Sequence, residues 1–240
     1  MDWKAHALIL HVQIKIGVIQ NSQLIDWAVG LLEHKIETAH VLKLACAYVQ
    51  ESRFDLEVLF QKSLSELKLL FPEDDQLFKD YAVLIAHAVL RNEVPPATGL
   101  DLLNQVNYQR QEWDPLLRPI CDLYAAVELS ADHMQSYLYA EFEQMPLADL
   151  IREECQLYLD LSQLETQDLL PEDLLNTSYC LNCAHRIKPV QAPESWLAKT
   201  WRQLTGNQAL RPWMCPDCNN TRFLSLMTLA GRKRFIDCAK

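Results

Sequence analysis

At 240 residues the chain is long enough for one or two domains with a self-sufficient core and no disulfide staples. Half of its residues are hydrophobic but only five are glycine, well under the roughly 7% of an average protein, which leaves little room for a turn-rich sandwich, a barrel or a glycine-rich phosphate loop. With 22 basic and 32 acidic residues, a net charge of −10, the whole surface is a poor match for nucleic acid or an anionic membrane.

The first apolar run, residues 8–19, is broken by His11, Gln13 and Lys15 and is followed by no small-residue cleavage site. It fits neither a signal peptide nor a membrane span, so a cytosolic protein is expected. Leu8, Leu10, Val12, Ile14 and Ile16 alternate as in a strand, yet the segment meets Gly17, a suitable helix C′ residue, and has no strand nearby to pair with. A helix over residues 3–16 is therefore predicted. Helical stripes follow at Leu24, Trp27, Ala28, Leu31 and Leu32; at Leu56, Leu59, Phe60, Leu67 and Leu70; at Leu77, Tyr81, Leu84, Ile85 and Ala88; and at Leu116, Ile120, Leu123 and Val127. Ser52 with Asp55 and Thr98 with Asp101 resemble capping boxes with Asp in place of Glu, and Asp114-Pro115 pairs an N-cap residue with proline at the first helical position. About eight helices are expected in residues 1–170. The acidic runs Glu73-Asp74-Asp75 and Glu153-Glu154 read as solvated helix ends and faces.

Beyond these helices come two Cys-x-x-Cys pairs, Cys180/Cys183 and Cys215/Cys218, while Cys46, Cys121, Cys155 and Cys238 are isolated. In a cytosolic chain this arrangement points to metal rather than disulfides. Two such turns supply four thiolates for one tetrahedral zinc ion, with all four positions filled by protein, so the metal is expected to be structural. The 31 residues 184–214 between the pairs leave space for a short helix over residues 193–204, where Leu197, Trp201 and Leu204 share one face. Short strands are expected over residues 185–190 and 222–227. A redox role is the alternative for a Cys-x-x-Cys pair, but two pairs without a thioredoxin-like βαβ pattern favour structural zinc. His185, two residues past Cys183, is an alternative fourth ligand. Cys46, Cys121 and Cys155 read as small core hydrophobes, and Cys238 as a bystander.

The succession Leu24-Ile25-Asp26-Trp27-Ala28, Leu42-Lys43-Leu44-Ala45, Ser65-Glu66-Leu67, Tyr81-Ala82, Ile85-Ala86, Val94-Pro95-Pro96 and Gly99-Leu100 resembles a group of small helical bacterial proteins, some of which resemble immunity proteins encoded beside polymorphic toxins. The resemblance spans residues 17–106 and implies a helical fold and a protein partner; its matching positions are core-forming and carry no functional residues. The segment around the two cysteine pairs is similar to the Cys₄ zinc-ribbon family, which implies Cys180, Cys183, Cys215 and Cys218 as zinc ligands.

Charge divides the chain in the same place. Of the 22 basic and 32 acidic residues, ten basic and five acidic fall in residues 171–240 (+5), leaving 12 and 27 in residues 1–170 (−15). Such asymmetry suits a separate partner for each face, or a contact between the two parts. No metalloprotease, nucleophile-elbow, Walker-type or dinucleotide-binding pattern is present, the histidines are scattered, and the carboxylates form no recognisable pair. The sequence therefore predicts a mainly all-α protein with an acidic helical domain over residues 1–170 and a basic zinc-ribbon-like module over residues 171–240. The expected role is noncatalytic: an immunity protein neutralising a toxin with a basic surface. The alternatives are a nucleic-acid-associated regulator using Arg222, Arg232, Lys233 and Arg234 beside Trp213 and Phe235, and an adaptor in a secretion or phage-defence assembly.

Overall fold

A computed structural model describes residues 2–110, 114–129, 145–171, 173–193 and 212–239. The fold is mainly helical with a small C-terminal region of short antiparallel strands. Among the described residues there are nine α-helices, eight of them within residues 1–170: α1 (Trp3–Lys15), α2 (Asn21–Glu33), α3 (Ala39–Ala45), α4 (Arg53–Glu66), α5 (Asp74–Leu90), α6 (Pro96–Gln109), α7 (Arg118–Glu128), α8 (Leu147–Thr166) and α9 (Leu229–Ala239). None of the described helices is long and apolar enough to cross a membrane. The chain forms two compact units, one of residues 1–88 and 102–113, the other of residues 89–101 and 114–240, so the expected boundary at residue 171 falls inside the second unit.

In the first unit the helical stripes close a common core. Leu24, Trp27, Ala28 and Leu31 of α2 are buried with Ala7 and Leu10 of α1, Val41 and Leu44 of α3, and Leu56, Phe60 and Leu64 of α4. The Trp27 and Phe60 rings meet edge to face, 4.9 Å between centroids, and the indole N–H donates to the Trp3 carbonyl at 3.3 Å. The alternating first segment is indeed a helix. Its end is closed as its glycine predicts: Gly17, at φ 82°, and Val18 donate back to the carbonyls of Ile14 and Gln13.

Several boundaries differ from expectation. Ser52 stands at the N-cap of α4 without a side-chain cap bond, and α6 begins at Pro96, so Thr98 lies inside its first turn. Helix α7 begins at Arg118. Asp114 instead accepts the Leu116 backbone N–H at 2.9 Å, holding the turn before that helix. Leu70, placed on the α4 stripe, is 94% exposed, because the helix stops at Glu66 and Lys68 turns the chain at φ 54°. Cys121 and Cys155 are core residues, but Cys46 is exposed just beyond α3.

The second unit carries the cysteine pairs. Strand β1 (Ser178–Cys180) is the centre of a three-stranded antiparallel sheet, with β2 (Arg186–Ile187) on one side and β5 (Phe223–Ser225) on the other. Ser178 stands opposite both Ile187 and Ser225. A separate ribbon pairs β3 (Val190–Gln191) with β4 (Trp213–Met214). The strand expected over residues 185–190 is instead divided into β2 and β3, which belong to different sheets; the one expected over residues 222–227 is the shorter β5; and β1 and β4, which lead into the two cysteine pairs, lie outside both expected spans. The helix expected over residues 193–204 lies outside the described residues.

Helix α9 packs on α8, β1 and β5. Thr228 caps it, its Oγ1 accepting the Gly231 backbone N–H at 3.1 Å. Gly231 is required by proximity: a Cβ there would stand 1.9 Å from the Ser225 carbonyl oxygen, a backbone atom that no rotamer change can move aside. Gly231→Ala is expected to cost about 1–3 kcal/mol by overpacking, measured as a lower urea midpoint with an unchanged denaturant slope.

Candidate metal centre

The two Cys-x-x-Cys turns are built alike. In the first, the Cys180 N–H donates to the His185 carbonyl at 3.0 Å and the Ala184 N–H to the Cys180 carbonyl at 3.1 Å. The second repeats this with Cys215 to Asn220 at 2.8 Å and Asn219 to Cys215 at 2.9 Å. The residue after each second cysteine is left-handed, with φ 58° at both Ala184 and Asn219, which reverses the chain tightly enough to bring both sulfurs of a pair to the same side. Asn accepts that conformation readily, while Ala does so at a cost. The Leu181 N–H donates to the Arg222 carbonyl at 3.0 Å, tying the first turn to the strand that follows the second.

As a result all four sulfurs lie within 4.8 Å of one another. Cys180 and Cys218 are 3.6 Å apart, Cys183 and Cys215 3.7 Å. These separations are far longer than a disulfide. They match the spacing of about 3.8 Å between sulfurs that each lie about 2.3 Å from a central ion in a tetrahedron. Cys180 and Cys215 are fully buried and Cys183 and Cys218 half-buried, packed with Ile187 and Phe223. The donor set fits one thiophilic ion such as zinc, held by Cys180, Cys183, Cys215 and Cys218.

The electrostatics of the thiols point the same way. The Cys183 backbone N–H, joined by that of Asn182 and by the neighbouring sulfurs, outweighs burial and pulls the Cys180 thiol down to about 6. Cys183 moves oppositely. Although the His185 backbone N–H lowers it, burial and the three other sulfurs push its thiol up to about 12. Four clustered thiols cannot all ionise against one another, and a divalent cation at their centre removes that conflict.

His185 does not join this cluster. It forms an adjoining group with Cys183 and Asp217, its Nδ1 lying 3.0 Å from Asp217 Oδ2. The aspartate, set between the two cysteines of Cys215-Pro216-Asp217-Cys218, is a residue that motif reading passes over because the motif treats those middle positions as free. Cys238 is also outside the cluster; the Tyr179 hydroxyl donates to its sulfur at 3.2 Å.

The basic residues near the C-terminus separate into different roles. Arg232 is 2% exposed and donates to Glu154 of α8 and to the Met227 carbonyl at 2.7 Å, so it is a structural residue with no face for nucleic acid. Glu154, expected on a solvated face, is correspondingly buried. Lys233 pairs with Glu153 at 2.6 Å, whereas Arg234 and Arg186 rest over the rings of Tyr179 and Phe235. Phe235 is buried and Trp213 exposed. Next to the cysteine cluster Tyr179, Ala184, His185, Arg186, Asp217 and Phe235 line a hollow of about 530 Å³.

Comparison of the chain with models of protein families, with curated proteins and with solved structures finds no match.

Proposed function

We propose that the chain is a cytosolic, noncatalytic interaction protein whose zinc-ribbon-like segment is braced by one structural zinc ion on Cys180, Cys183, Cys215 and Cys218, and that it acts as an immunity protein against a bacterial toxin. The four convergent thiols carry the metal reading: a shell filled by four protein sulfurs has no position for water or substrate, so the ion holds structure rather than performing chemistry. The partner reading is supported by charge. Asp26, Glu33, Glu37, Asp55 and Glu73 are exposed and, among the described residues, join no salt bridge, so they are available to a cationic surface. An inhibitor presenting such a surface to a basic nuclease cleft gains specificity and association rate.

Co-expression of the full chain with a toxin encoded beside its gene tests this. Protection of the host cells is the expected result, together with an association rate that falls about tenfold or more in an Asp26→Lys/Glu33→Lys/Glu37→Lys variant at low salt. Failure to protect, with no complex in solution, would remove the immunity reading while leaving the metal reading to its own test.

A further inference from the structure

Cys183 belongs to two ligand groups at once. Its sulfur is part of the four-thiol cluster and also lies within 4.8 Å of the His185 ring nitrogen and an Asp217 carboxylate oxygen. The two groups differ in accessibility: the Cys180 and Cys215 sides of the cluster are closed, while the side chains of His185 and Asp217 are 67% and 50% exposed. Both line the hollow of about 530 Å³, so a hydrated ion can approach them directly. We propose that Cys183, His185 and Asp217 form a second, transient site for a divalent cation, through which ions enter and leave the four-thiolate shell. This inference rests on the reading that the four cysteines hold zinc.

The exchange is associative. An arriving ion displaces the proton shared by His185 Nδ1 and Asp217, which passes to water, and binds the ring nitrogen, a carboxylate oxygen and Cys183 Sγ. Cys183 then bridges the two ions, as a thiolate's several lone pairs allow. The inner ion can depart as the outer one takes its place, after which His185 recovers its proton from water and its hydrogen bond to Asp217. One ion enters and one leaves, so charge and protons balance over the cycle. A nitrogen and oxygen pair suits the transient role because the thiolate-rich inner shell outcompetes it for zinc. The competing explanation is mechanical: the His185–Asp217 bond joins the first cysteine turn to the second and could serve only as a staple.

Kinetics distinguish the two. By microscopic reversibility, a transient site speeds arrival and departure equally and leaves affinity unchanged, whereas loss of a staple weakens affinity and hastens release. The zinc-loaded full chain, exposed to zinc-65 at a series of concentrations, is expected to exchange at a rate that rises with free zinc. His185→Ala and Asp217→Asn, both at exposed side chains, should each slow that exchange by about tenfold, the scale of removing a ligand-supporting group. Their zinc dissociation constants, by chelator competition, should match the parent. An exchange rate independent of free zinc, rates unchanged in both variants, or weaker affinity with faster release would overturn the inference. A chain that takes up no zinc fails the metal reading at the first step, and the inference with it.

Discussion

Stripping zinc with a chelator, or replacing Cys215 by Ser, is expected to unfold β1, β2 and β5 while the helices of residues 2–88 keep their structure. The strands around the metal centre are two or three residues long, too short to hold a sheet without support. The buried residues beneath them are Cys180, Ile187 and Cys215, with Cys183, Cys218 and Phe223 packed alongside. Four of these six are the proposed ligands, so the local core and the metal shell are largely the same atoms. With the proposed zinc bound, binding free energies of about 10–16 kcal/mol for structural zinc in small modules would become folding free energy here. The first unit has a core of its own that includes Trp27 and Phe60. Amide hydrogen exchange on loaded and stripped protein checks the prediction. Protection should vanish at Tyr179, Ile187 and Leu224 and persist at Ala28, Leu31 and Phe60, whose side chains are fully buried in the first unit. Protection retained at Tyr179 and Leu224 after the metal is gone would contradict this account. Cys238→Ser, outside the cluster, should leave the pattern unchanged.

Much of the helical fold and the convergence of the four cysteines is legible in the sequence, because the signals concerned are local. Burial at a period of 3.6 marks the helices of the first unit, and the spacing of two Cys-x-x-Cys pairs marks the four cysteines that the fold brings together. What escapes depends on backbone geometry or on contacts between distant residues. Cys46 has the composition of a core residue, but it follows a helix of only seven residues and faces solvent. Leu70 continues a stripe in register, but Lys68 turns the chain first. Ser52 does mark the start of α4 but makes no side-chain cap bond, and Thr98 caps nothing because α6 already begins at Pro96. The clearest case is Arg232. In sequence it is one of three consecutive basic residues, Arg232-Lys233-Arg234, and nothing local distinguishes the buried one from its neighbours. Only the partner 78 positions earlier, Glu154, does so.

That pair carries the second large expectation: Arg232→Ala should destabilise the second unit by about 3–5 kcal/mol, the cost of leaving a buried carboxylate without its cation. The Arg232 guanidinium donates to Glu154, to the Met227 carbonyl at 2.7 Å and to the Leu226 carbonyl at 3.4 Å, so it joins α9 to α8 and to the segment that leads into α9. Both side chains are nearly inaccessible, 2% and 3% exposed, and water cannot replace either partner. The adjacent Lys233–Glu153 pair offers an internal contrast, since its side chains are 44% and 40% exposed. Lys233→Ala should cost at most about 1 kcal/mol, as surface pairs do. Replacing both buried charges, in an Arg232→Met/Glu154→Leu variant, should recover much of the loss, because well-packed apolar side chains of similar volume avoid the desolvation of two ions. A urea-denaturation double-mutant cycle over these variants checks the ranking. Equal losses from Arg232→Ala and Lys233→Ala would show that burial does not set the cost. The ranking also bears on partners: an alanine substitution at Arg232 that abolished binding of any ligand would report a loosened α9 rather than a lost contact, so a surface test of this basic stretch has to use Arg234 and Arg222 instead.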